Sequence, residues 1–209
     1  MVKRIALFAF IALLSQAAFA QEGKNYWSFG VAYNKMSQSQ EQVVPTYKET
    51  YSSLGLSMTG FSGRSIGFYS NATFMVVQEF TAELGSASAR VTDLSAFDQK
   101  WAMDAQLGIA KKTMLSDSMM LLAGGGLQYS QLVMTWTDNL GYMDGFIYGV
   151  LGVGGLVELS SELFDGFSLC ASLKAGYNFY PVLGALAESG IEFGGGYTVT
   201  PSVGFSLTL

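Results

Sequence analysis

The side chains that most often carry chemistry are scarce in this chain. It has no histidine and a single cysteine, Cys170. Imidazole bases, histidine metal sites and Ser-His-Asp triads are excluded together, and one thiol makes neither an intramolecular disulfide nor a thiolate metal cluster. No cofactor or metal is expected. What remains is a handful of charged and amide side chains set in otherwise apolar stretches: Asp104, Glu158 and Lys174, with Asn71, Gln106 and Gln128. Asp104 and Glu158 could in principle form a carboxylate dyad, but solitary carboxylates without a spacing motif specify no reaction, so the chain does not read as an enzyme. The other reading is an interior polar network or lumen lining, because charges taken out of water need partners. Gly124-Gly125-Gly126 lacks the Lys and Ser/Thr of a phosphate loop, and reads instead as relief of crowding or a bend in a strand. A second group of acids, Glu79, Glu83, Asp93, Asp98, Asp138 and Asp144, falls in polar stretches with few bases. Such loops could bind cations or a basic host surface, or be simply solvated; none has the spacing of a calcium loop.

The elements that must position these residues announce themselves at the C-terminus. In YTVTPSVGFSLTL, Tyr197 to Leu209, the odd positions are apolar and the even ones are Thr, Ser or Gly. Period 2 over thirteen residues is a strand signal. Pro201 would suit an edge strand of a soluble sandwich, while a strand of about ten residues, tilted, also crosses a bilayer.

Composition separates these alternatives. Residues 1–20 read as a secretory signal, with Lys3 and Arg4, an apolar run from Ile5 to Leu14, and Ala18-Phe19-Ala20 as the cleavage pattern; the mature domain is then 21–209. Beyond residue 20 no apolar run approaches the eighteen or so residues of a membrane helix. Yet half of the residues are hydrophobic and 25 are glycine, which suits strands with lipid on one face and small residues on the other. Loss of Lys3 and Arg4 leaves nine basic residues against sixteen acidic ones, which makes nucleic acid an improbable partner.

Alternation recurs eight times, over 25–34, 50–60, 65–76, 100–110, 119–134, 146–159, 167–180 and 191–209. The connections run long, short, long, short, long, short, long, the long ones starting near Lys35, Gln78, Thr135 and Pro181. A soluble sandwich has no reason for this rhythm. A membrane barrel does, because short turns lie on the periplasmic side and long loops outside. The expected fold is therefore all-β, an eight-stranded antiparallel transmembrane β-barrel, closed so that no strand edge meets lipid. Trp27, Trp101, Tyr129, Tyr177 and Tyr197 fall on its outward faces, where aromatic girdles form.

Signal, strand rhythm and terminal alternating strand together resemble the small bacterial outer-membrane proteins of the OmpW, OmpX and OmpA-barrel type. Leu54–Phe61 and Ser65–Phe74 have a flavour of the spirochaete members. In that group the last residue is usually Phe, read by the outer-membrane assembly machinery; here it is Leu209, with Phe205 four residues earlier on the same face. The resemblance implies an outer-membrane location, with membrane lipids and the assembly machinery as partners. Histidine-dependent barrel enzymes are set aside. Resemblance to OmpW implies a narrow channel for passive uptake of small or hydrophobic solutes; resemblance to OmpX and the OmpA barrel implies a non-conducting surface protein in adhesion or membrane structure.

Overall fold

The structure is a computed structural model, described here for residues 25–40, 46–137, 143–184 and 193–208. Among the described residues nine strands follow one another: β1 (Tyr26–Gln40), β2 (Tyr47–Gly63), β3 (Ile66–Leu84), β4 (Ala87–Val91), β5 (Gln99–Met114), β6 (Met119–Thr137), β7 (Met143–Phe164), β8 (Phe167–Gly184) and β9 (Phe193–Thr208). Every pairing is antiparallel between sequence neighbours, except that β3 pairs β5 and β9 returns to β1. Eight strands thus close a ring, and β4 hangs from β3 outside it. With no lipid-exposed edge, the backbone donors of the ring are satisfied within it.

Side-chain alternation decides what each face meets. Leu56, Leu127, Ile109 and Val203 all point outward and are about two-thirds exposed (68%, 68%, 66% and 65%). A continuous apolar surface of this extent on a closed barrel is a lipid-facing belt. Its periplasmic border carries a run of aromatic rings, Phe164–Phe167 at 4.7 Å between centroids, Phe167–Phe205 at 5.8 Å and Phe205–Phe29 at 5.7 Å. Above the belt the outward positions of β2 turn polar at Lys48, Thr50 and Ser52, so this end of the strand stands in water.

The strands outrun the expected ones. β3 continues to Leu84 and turns back through Gly85 (φ 60°) into β4, where a loop was expected over 78–99. The cause is a bulge: Ser53 faces Val77 and Ser52 faces Glu79, so Gln78 has no partner on β2 and the inward positions of β3 switch from odd to even. Alternation read straight through Gln78 loses the period. Similarly, the connection expected over 160–166 is only the turn Asp165-Gly166, with Gly166 at φ 74° as a tight two-residue hairpin requires. A bulge between Leu151 and Gly152 likewise lets Tyr180, expected inward, lie 60% exposed. Leu209 lies outside the described residues.

Candidate functional site

Inside the ring, side chains fill three tiers. At the periplasmic end an apolar cluster includes Tyr26, Phe61, Tyr69, Leu122 and Leu156. At the extracellular end a second cluster includes Met36, Tyr51, Met75, Leu132, Met134 and Tyr148, with Phe80 and Phe97 packed against it. Between them lies a polar waist.

Lys174 organises the waist. Alternation along β8 points it inward, and it is 2% exposed. Its ammonium donates to Asn71 Oδ1 at 2.7 Å and Thr73 Oγ1 at 2.9 Å on β3, and to the Asp104 carbonyl on β5 at 3.3 Å. The Asp104 carboxylate lies 3.4 Å away and balances its charge. β3 is diametrically opposite β8 in the ring, so this one side chain crosses the lumen. Burying the pair is tolerable only because attraction and hydrogen bonds offset desolvation.

Gln106 and Gln128 build a second chain. Gln106 Nε2 donates to Gln128 Oε1 at 2.7 Å, and Gln128 Nε2 donates to Thr198 Oγ1 at 2.6 Å, three strands away. Both amides lie over glycines. A Cβ on Gly176 would stand 1.7 Å from Gln128 Oε1, and one on Gly154 2.3 Å from Gln106 Nε2. The inward glycines of β7 and β8 thus make the room that the glutamines fill.

Glu158 is held apart from this network. Its two oxygens accept hydrogen bonds from the Tyr26 and Ser28 hydroxyls on β1, and it is 1% exposed. The carboxylate dyad considered from sequence therefore does not assemble: Asp104 faces Lys174, and Glu158 faces hydroxyls near the periplasmic cluster. All six interior candidates are buried.

No protein-family model matches the sequence, and no curated protein matches it significantly. Solved structures do. Neisserial surface protein A shares 12% identity over 90% of this chain and all of its own, with a TM-score of 0.56. OprG from Pseudomonas aeruginosa shares 10% over 91% and 98%, at 0.55, and AlkL in lipid bilayers shares 13% over 90% of both chains, at 0.54. The fold is that of the small outer-membrane β-barrels. At these identities the likeness is one of backbone, and site residues are argued from this barrel alone.

The acidic residues on the extracellular side of this outer-membrane barrel do not converge on one point. Glu79 pairs with Arg90 at 2.5 Å, and Glu83 with Lys48 at 3.9 Å. Asp98 accepts from the Thr137 hydroxyl at 2.7 Å, and Asp144 from the Gly145 amide at 2.7 Å. Asp93 accepts from the Ser95 amide at 3.0 Å, and the Ser95 contacts hold its carboxyl below the usual range. Asp138 lies outside the described residues. Glu49, an acid that the sequence places with the outer loops, is instead buried at the mouth, where Tyr47 and Tyr51 donate to its carboxylate at 2.7 and 2.6 Å. Period 2 extended back through Tyr51, Glu49 and Tyr47 is the signal that would have found it.

Proposed function

We propose that this protein is a closed-lumen surface barrel of the outer membrane, one that acts through its extracellular end and its membrane-facing wall. The observation that supports this reading is the reach of Lys174 across the lumen to Asn71 and Thr73, with Asp104 beside it. An ion moving along the axis would have to displace that bridge and both apolar tiers. In planar bilayers the refolded protein is expected to be electrically silent. Discrete conductance steps that change in Asp104→Asn would overturn the reading and restore an aqueous conduit.

A second reading, passage of small apolar solutes through the wall, is favoured by one feature. An apolar depression of about 850 Å³ on the lipid side is bordered by Leu127, Val153, Ala175, Tyr197 and Val199. At its floor Gly154-Gly155 and Ala175-Gly176 put almost no side chain on either face of the sheet. If solutes cross there, uptake of a small aromatic hydrocarbon into cells exceeds that of barrel-free cells, and Gly155→Phe returns it to that level. Equal uptake with and without the barrel would sink the idea.

A further inference from the structure

The mouth of the barrel holds a polar group that the fold leaves incomplete. Glu49 is 8% exposed and Gln38, its direct cross-strand partner on β1, is 4% exposed. Both point inward. The hydroxyls of Tyr47 and Tyr51 donate to the two Glu49 oxygens, and each oxygen retains acceptor capacity. Among the described residues no basic side chain lies within 4 Å of Glu49; the adjacent Lys48 faces outward to Glu83. Among the described residues neither atom of the Gln38 carboxamide makes a hydrogen bond of normal geometry, and neither does the Tyr148 hydroxyl, which faces both Gln38 and the Tyr51 hydroxyl. A buried carboxamide with both ends unsatisfied is costly, and it calls for a ligand or water.

The surroundings indicate what kind of ligand. Tyr51 stacks on Phe80 at 5.1 Å and stands 6.2 Å from Tyr148, which reaches in from the opposite wall, so aromatic rings gather beside the carboxylate. On either side of the Gln38–Glu49 pair the same layer of the wall is Gly196, Ala82 and then Ala89, which contribute no bulk. One negative charge, a free amide oxygen and aromatic faces suit an organic cation. Quaternary ammonium would satisfy the charge but offers no N–H to Gln38 Oε1. A metal ion is disfavoured, since the described residues hold no group of three His, Cys, Asp or Glu side chains.

We infer that Glu49 and Gln38 form a binding site for a primary alkylammonium group, its protons donated to the Glu49 carboxylate and Gln38 Oε1 beside the Tyr51 and Tyr148 rings. Such a group comes from a free amine or from a lysine side chain of a partner protein. The site goes beyond the closed-lumen reading and does not depend on whether the barrel conducts.

Isothermal titration of the refolded protein in detergent, with n-butylammonium chloride as probe, tests this. Saturable binding is expected, weakened roughly tenfold or more in Glu49→Gln and several-fold in Gln38→Ala, as loss of hydrogen bonds to a charged group implies. Glu79→Gln, an acid on the outer surface, should bind as the wild type does. Tyr51→Phe provides a second probe of the carboxylate if Glu49→Gln fails to fold, which circular dichroism would show; it should weaken binding with the barrel intact. A short lysine peptide and its Nε-acetylated form separate the sources. Binding of the unmodified peptide alone places a lysine in the site, whereas failure of both beside butylammonium binding identifies a free amine. Absent saturation, equal affinity in Glu49→Gln, or equal affinity for n-butyltrimethylammonium would each overturn the proposal.

Discussion

Two carboxylates in this barrel are held in the same way at opposite ends. Glu158 accepts from the hydroxyls of Tyr26 and Ser28, and Glu49 from those of Tyr47 and Tyr51; neither forms an ion pair with a described residue. Their surroundings differ. Glu158 sits against Leu122 and across from the tightly packed Tyr26–Phe61–Leu156 cluster, and small hydroxyls line its remaining side. Glu49 sits beside an unsatisfied carboxamide in a layer of Gly and Ala, at the level where the outer face of β2 is already polar. The same local chemistry therefore has two settings: at one end it ties β7 to β1 across the lumen, and at the other it adjoins the carboxamide on which the proposed cation site rests. A carboxylate held by two hydroxyls is not by itself a site, and the unfilled partner next to it makes the difference.

The waist provides the reference for a charge with an opposite charge beside it, and breaking it should have the largest effect. Lys174→Met leaves Asp104 buried without its cation and removes three hydrogen bonds. Removal of one partner of a buried pair typically costs about 3–5 kcal/mol. Denaturant titration of the refolded barrel should show a loss of that order, and Lys174→Met with Asp104→Leu should recover most of it. If the double variant is as unstable as the single, the ion pair is not what Lys174 contributes.

The comparison of the two carboxylates is broken more directly by removing one hydroxyl from each. Tyr26→Phe takes a donor from a charge with no access to water, and loss of a hydrogen bond to a charged group is worth about 1.5–3 kcal/mol. Tyr51→Phe takes one from a carboxylate that is 8% exposed against 1% for Glu158, and a smaller loss is expected. Equal losses in the same titration would mean that the mouth is as sealed as the periplasmic end.

Glycines on opposite faces of the same wall should behave differently. Gly176→Ala drives a methyl into Gln128 Oε1, and that amide must give up its bonds to Gln106 and Thr198 to move; about 1–3 kcal/mol is expected. Gly125→Ala faces lipid, with its nearest neighbour, the Gly154 carbonyl, at 3.4 Å, and should change stability little. Thermal unfolding of both variants checks the pair.

Much of this was legible in the sequence because a barrel wall has only two faces. The alternation that set Trp27, Phe29 and Val31 against Ser28, Gly30 and Ala32 needs no tertiary information, and the eight ring strands follow from it. Pairing across the lumen is different in kind. That Lys174 meets Asn71 and Asp104 while Glu158 meets Tyr26 depends on register around the ring, which period 2 does not encode. The β3–β4 hairpin was hidden by the bulge at Gln78, which flips the faces of everything after it. The mouth was hidden by composition: Ser37 to Gln40 on β1 and Lys48 to Thr50 on β2 are polar on both faces, and strand ends of that kind read as a loop.

The smallest effect belongs to the outermost charges and sharpens the contrast with the interior. Asp93 lies on the extracellular segment between β4 and β5, fully exposed, with the Ser95 hydroxyl and amide holding its carboxyl below the ordinary value of 3.8. A group whose folded pKa is depressed contributes stability above its unfolded pKa and loses it as pH falls through the folded one. The contribution of Asp93 is therefore complete above about pH 4 and disappears only below it. Since water screens the carboxylate, the change should be local. The Ser95 amide resonance is expected to shift below pH 4 and to lose that titration in Asp93→Asn, while denaturant unfolding at pH 7 stays as in the wild type. A shift of the global midpoint in Asp93→Asn at pH 7 would mean that this segment, which sends Leu94 into the extracellular cluster, is held in place by its turn and not by that apolar anchor.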